Sequence, residues 1–255
     1  MADNVDIQSS RAIGYKYLRA CIMSPPGEGK TFCAGSLSEY WPTILPTPGQ
    51  WGTAIELKDL LWLLFDTGGL DGFSERGIFV PTVDLSLGTG HDILTKLARV
   101  KPMIRQMVTS GQIKGIVADT WTVFDKVLLA HHTERFEKWA LYNAQLKEHM
   151  ALWTFLRGLS CHVVCLFHEK YVTQQDDVAA QRRAEASGIK PGTVTFSITG
   201  QALELFRGNN SLRMALQRGQ DGNTPTFWLN PALTTASERS RFSCLGSREP
   251  AHLGK

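Results

Sequence analysis

A chain of 255 residues, 43% hydrophobic and 20% charged, has the composition of an ordinary globular protein, with room for one generous α/β domain or two small ones. Its formal net charge of +3 is too small to argue for nucleic acid by itself, and five cysteines without a tight framework point to reduced thiols, not a disulfide scaffold. The first seven residues lack the basic and apolar regions of a signal peptide, and the greasiest segment, residues 57–65, is too short to cross a bilayer, so a cytoplasmic protein is expected.

Residues 1–15 are polar and suit a short arm or an edge strand. Residues 17–23, Tyr-Leu-Arg-Ala-Cys-Ile-Met, form the first predicted strand, and residues 31–40 the first helix. Between them runs Ser24-Pro25-Pro26-Gly27-Glu28-Gly29-Lys30-Thr31-Phe32. Strand, glycine loop, Lys-Thr and helix is the order that a phosphate cradle requires. Successive backbone N–H groups of such a loop converge on one point, to which the helix N-terminus adds partial positive charge. Lys30 then reaches the terminal phosphates, and the Thr31 hydroxyl ligates Mg²⁺. Gly27 and Gly29 allow conformations and a close phosphate approach that a Cβ would hinder. The pattern G-x-x-x-x-G-K-[ST] is met except at its first position, Ser24. A residue before proline is held at negative φ, so glycine is not required there.

Prolines between residues 41 and 51 forbid regular structure. Residues 57–66 are an apolar run broken by the turn Asp66-Thr67-Gly68-Gly69. Residues 77–83 read as a short strand that Pro81 assigns to an edge. Helical spacing runs through residues 91–108, with a kink expected at Pro102. Residues 114–121 are a buried strand ending at Asp119, and the longest predicted helix spans residues 134–159. Residues 161–167 form another buried strand, finishing at His168-Glu169. On it Cys161 and Cys165 would stand about 13 Å apart, so neither a disulfide nor a shared zinc follows. Residues 170–192 are a polar loop, and residues 193–198, 211–216 and 226–229 are strands. His131, His132 and His149 read as surface residues. From 234 to 255 the composition turns to Ser, Arg, Pro and Gly, as in a disordered tail, leaving residues 1–233 as a single domain.

Buried strands alternating with helices predict an α/β fold: a largely parallel sheet with helices on both faces and a short antiparallel C-terminal extension. Ligands of such sheets bind beyond the carboxyl ends of the strands, where the loop, Asp66, Asp119 and His168 all fall. Phosphoryl transfer needs positioning and charge neutralisation more than covalent chemistry. Asp119 suits the acid that holds Mg²⁺ opposite Thr31, His168 a sensor of the terminal phosphate, and Glu169 a group that polarises water. An acid at a strand end is also a frequent helix N-cap.

The Pro-Pro-Gly-x-Gly-Lys-Thr loop, the Ile-Val-Ala-Asp-Thr strand, the strand ending Phe-His-Glu, and Thr195-Phe-Ser-Ile-Thr-Gly200-Gln-Ala recur in this order in one family. Over residues 15–230 the chain resembles the small phage-encoded RecA-like P-loop ATPases, the Sak4-type single-strand annealing and recombination proteins related to Rad51 and RadA cores. The resemblance implies an ATP- and Mg²⁺-dependent protein that acts on single-stranded DNA, in host cytoplasm if phage-encoded. It implies a homo-oligomer with ATP at subunit interfaces, completed by a neighbour's basic residue such as Arg207, Arg213 or Arg218. It puts strand 161–167 between the P-loop strand and the Asp119 strand, and DNA-contacting loops at 120–133 and 170–192. The second loop carries Lys170, Tyr171, Arg182, Arg183 and Lys190, nearly balanced by Asp176, Asp177 and Glu185.

One position departs from the pattern. Where such proteins place a catalytic glutamate in Asp-x-Glu, this chain has Asp66-Thr67-Gly68. Either Asp66 or Glu169 substitutes, or hydrolysis is slow. A nucleotide-gated scaffold that hydrolyses little, and a P-loop motor or packaging ATPase, are the alternatives.

Overall fold

The computed structural model describes residues 17–35, 55–75, 77–171, 194–199, 202–203, 205–206, 212–221, 224–230 and 249–250. The strands are β1 (Arg19–Ser24), β2 (Leu60–Leu64), β3 (Thr82–Asp84), β4 (Gly115–Asp119), β5 (His162–Tyr171), β6 (Val194–Phe196), β7 (Leu212–Asp221), β8 (Thr224–Asn230) and β9 (Glu249–Pro250). The sheet order is β3-β2-β4-β5-β1-β7-β8-β9, parallel from β3 to β7 and antiparallel beyond it. β5 lies between β1 and β4, as the resemblance implied, and its far end pairs antiparallel with β6.

The pleat sends alternate residues of each strand to opposite faces. On one face Ala20, Ile22, Leu60, Trp62, Val117 and Val164 pack with Cys33 and Ala34 of α1 (Lys30–Gly35) and Phe73 of α2 (Asp71–Ser74). On the other, Cys21, Met23, Leu61, Leu63, Ile116 and Val163 meet α3 (Gly90–Thr109), α4 (Trp121–Thr133) and α5 (Lys138–Arg157). Burial on both faces is why the strands read as unbroken apolar runs. No helix among the described residues is long and apolar enough to cross a membrane.

Several boundaries shift. The edge strand starts later than expected, at Thr82; the Pro81 carbonyl accepts from Trp62 N at 2.8 Å, but proline has no N–H with which to extend the ladder. α3 begins behind a capping box in which Thr89 N donates to Asp92 Oδ2 at 2.8 Å, and Pro102 lies within it. β5 continues past His168 to Tyr171, and β7 and β8 are longer than their sequence signals. Glu249–Pro250 of the C-terminal tail pairs with β8. Residues 1–16, 36–54 and the remainder of the tail lie outside the described residues.

The segment 120–133 is a correction. It is not a loop but α4, whose N-cap Thr120 accepts from Val123 N. Its buried stripe is Trp121, Asp125, Leu128 and His132, with two polar members that break the apolar pattern. α5 supplies partners to Asp125, so His149 is no surface residue: it is fully buried. Trp121 Nε1 donates to His149 Nδ1 at 2.8 Å, which leaves the imidazole proton on Nε2, 2.8 Å from Asp125 Oδ1. Gln145 Nε2 donates to the same carboxylate at 2.9 Å, and Thr199 adds its backbone N–H and hydroxyl at 3.1 and 2.9 Å. One carboxylate thereby ties α4, α5 and the chain after β6 together. His132 is also buried, not on the surface.

At the opposite end of the sheet, Arg19 donates to the carbonyls of Arg157, Leu159 and Cys161, meeting the acceptors that the end of α5 leaves free. Beside it, Leu18 N donates to His162 Nδ1 at 3.0 Å. Burial, aided by the Arg19 charge, pushes the His162 imidazole down to about 3.

Candidate nucleotide site

β1 ends at the buried Ser24, and the chain turns through Pro25, Pro26, Gly27, Glu28 and Gly29 into α1. Gly27 and Gly29 both have φ +79°. A Cβ on Gly27 would meet nothing within 4 Å, so conformation and not space requires glycine there. Ser24 is not among the positive-φ residues, and its side chain takes part in the loop.

Lys30 is 6% exposed, and its Nζ donates to Ser24 O and Ser24 Oγ at 3.1 Å and to Pro25 O at 2.8 Å. Burial pulls the ammonium down to about 8 against the charges of Asp119, Glu169, Glu28 and Asp66, which raise it. Thr31 Oγ1 donates to Asp119 Oδ2 at 2.7 Å, closing the gap between the loop and the end of β4. Asp119 is 2% exposed, and burial pushes its carboxyl up to about 6, opposed by the Thr31 hydrogen bond and the Lys30 charge.

The turn after β2 completes the enclosure. Phe65 N donates to Asp119 O at 2.7 Å, and a Cβ on Gly69 would come within 2.9 Å of Asp119 Oδ2. The half-buried Asp66 projects its charge onto Lys30, Asp119 and His168. His168 is the register partner of Ser24, and its backbone N–H donates to Thr122 Oγ1 at 2.9 Å. Burial first, then the Lys30 and Lys126 charges, lower its imidazole. Glu169 follows on β5, half-buried and opposite Phe196 of β6. Pro26 and Gly27 are exposed, while the Phe32 ring, 39% exposed, lies edge-on to Phe73 at 4.8 Å.

The structure therefore gathers Ser24, Lys30, Thr31, Asp66, Asp119, His168 and Glu169 around the carboxyl ends of β1, β2 and β4 and the carboxyl half of β5. The donor set fits a magnesium–triphosphate: a hydroxyl and a carboxylate in contact, both hard oxygen ligands, beside an ammonium and a loop of positive-φ glycines. Glu28 Oε2 is buried in this loop without a hydrogen-bond partner. Sequence reasoning missed the Ser24 hydroxyl as a partner of Lys30, the Thr122 hydroxyl beneath His168, and Gly69 as a close neighbour of Asp119. The Gly68-Gly69 pair announced a turn; the carboxylate packed against it carries no sequence signal.

Fold and sheet order define an α/β protein, a mostly parallel sheet with helices on both faces and an antiparallel extension, with a glycine loop after its central strand. No protein-family model and no curated protein matches the sequence. Among solved structures, 386 chains match, one being a KaiC-like protein, PH0186, from the hyperthermophilic archaeon Pyrococcus horikoshii OT3. That likeness has a TM-score of 0.42 and 10% identity over 91% of this chain and 83% of that one, and it carries no information on ligand or activity.

Proposed function

We propose that this chain binds ATP with Mg²⁺, hydrolyses it, and acts on single-stranded DNA in recombination or annealing. The observation that carries the nucleotide part is the 2.7 Å contact between Thr31 and Asp119 beside the buried Lys30. In this reading the positive-φ glycines turn main-chain N–H groups toward the phosphates, and Lys30 leaves its carbonyl partners to neutralise the terminal ones. Thr31 and Asp119 hold Mg²⁺, which when bound offsets phosphate charge. His168, held through its backbone by Thr122, senses the terminal phosphate from the neighbouring strand. Phe32 borders the loop as an apolar surface beside the nucleotide.

Asp66 and Glu169 are the carboxylates available to orient water, since Gly68 stands where a catalytic glutamate is expected. That glycine favours a second reading, a nucleotide-gated scaffold with little hydrolysis. The DNA part rests on the resemblance and on the loop 170–192, of which residues 172–192 lie outside the described residues. Assembly with ATP at subunit interfaces, completed by Arg213 or Arg218 of β7 or by Arg207, belongs to the same proposal.

Phosphate release measured by malachite green, with and without an oligonucleotide, tests it. Single strands stimulate turnover, and Lys30→Ala reduces it at least ~100-fold, as loss of a positioned phosphate charge should. Tight ATP binding without phosphate release supports the scaffold instead.

A further inference from the structure

Away from the nucleotide site, α3 and α5 border a groove of about 640 Å³. Lys101, Pro102, Arg105, Gln106 and Thr109 of α3 line it, with Phe155 of α5. α3 carries four basic residues, Lys96, Arg99, Lys101 and Arg105, against the single acid Asp92. The helix thus has a net charge of +3, equal to the formal charge of the whole chain. A charge too small to argue for nucleic acid when spread over the surface is concentrated on one element.

Within the groove, Lys101 and Arg105 stand one helical turn apart, a spacing at which like charges repel. Among the described residues neither has an ion-pair partner; Glu148 is the acid whose charge Lys101 feels. Both cations lie over the same ring: Lys101 Nζ is 5.6 Å and Arg105 Cζ 5.9 Å from the Phe155 centroid. The ring holds two repelling cations at fixed positions, which lowers the ordering cost when an anion arrives. Pro102 has no N–H to give the Ala98 carbonyl, and both residues line the groove, which leaves a main-chain acceptor beside the Gln106 amide. Adjacent cations, an aromatic ring and mixed donors and acceptors are the components of a single-strand track.

We propose that this groove binds the phosphate backbone of single-stranded nucleic acid, with Lys101 and Arg105 on consecutive phosphates. The inference rests on the DNA reading above and locates a contact outside the loops 120–133 and 170–192. Because Thr109 and Ser110 precede β4, the groove extends toward the end of the sheet opposite the P-loop. Binding there is separable from nucleotide binding.

The test is fluorescence anisotropy of a labelled oligothymidine across a salt series with ATP and Mg²⁺. It compares the full chain, the Lys101→Glu/Arg105→Glu variant and the milder Lys101→Gln/Arg105→Gln variant, with thermal melts as a folding check. The charge-reversed protein should bind at least tenfold more weakly, and either variant should lower the log–log salt slope by about one to two, with nucleotide affinity unchanged. Wild-type binding with variants of unchanged affinity and slope overturns the groove and leaves the DNA reading intact. No binding by the wild type overturns both. Displacement by poly-glutamate as readily as by unlabelled oligonucleotide overturns the groove as a nucleic-acid site, in favour of an acidic polypeptide.

Discussion

His162 is a buried imidazole that accepts the Leu18 N–H through Nδ1, and a charge there would face both burial and Arg19. Its folded value of about 3 lies below the ~6.5 of an unfolded histidine, so the unfolded chain binds the extra proton between the two. Stability from the neutral ring is complete above ~6.5 and is lost as pH falls toward 3. At pH 5 the loss relative to pH 7 is about 2 kcal/mol. Asp119, raised to about 6, changes in the opposite sense over part of this range, but it does so equally in a His162→Gln protein. Urea denaturation of both proteins at pH 5 and pH 7 isolates the histidine. The wild type should lose about 2 kcal/mol more than the variant, and equal losses would show that the ring is not held neutral.

Among elements, α4 depends most on a single side chain. Asp125 accepts from His149, Gln145 and Thr199; truncating it takes the carboxylate from the fully buried His149 and from Thr199, while Gln145 Nε2 keeps only the Asp125 main-chain carbonyl. Asp125→Ala should cost roughly 3–5 kcal/mol in urea denaturation, and Asp125→Asn, which keeps one carbonyl acceptor, distinctly less. A cost for the alanine under ~1 kcal/mol would mean that the network contributes little. The same network explains why this helix was not legible. A helix is read from apolar residues at 3.6 spacing, and α4 interrupts that stripe with a histidine and with an aspartate whose partners come from 20 or more residues away. β1, β4 and β5 were legible because burial on both faces writes an apolar run, and the P-loop because its glycines and Lys-Thr are fixed by local geometry.

At the scale of the whole molecule, the order β3-β2-β4-β5-β1-β7 accounts for the site. Parallel strands bring residues as far apart in sequence as Thr31, Asp66, Asp119 and His168 to one rim. Sequence reasoning named these residues from their strand ends, and the resemblance supplied the neighbours of β5. The approach of Gly69 to Asp119, which depends on tertiary packing, was not available to it. The basic groove between α3 and α5 is of the same kind, since Phe155 joins Lys101 and Arg105 only once the helices pack.

The central claim is that this rim grips a magnesium-bound triphosphate. Equilibrium titration with a fluorescent ATP analogue, in Mg²⁺ and in EDTA, tests it most directly when run on the wild type, Lys30→Ala and Asp119→Asn. The account predicts saturable binding that weakens at least ~10-fold in EDTA, loss of binding in Lys30→Ala, and loss of the Mg²⁺ dependence in Asp119→Asn. No uptake by the wild type, or affinities unchanged in both variants, would contradict it.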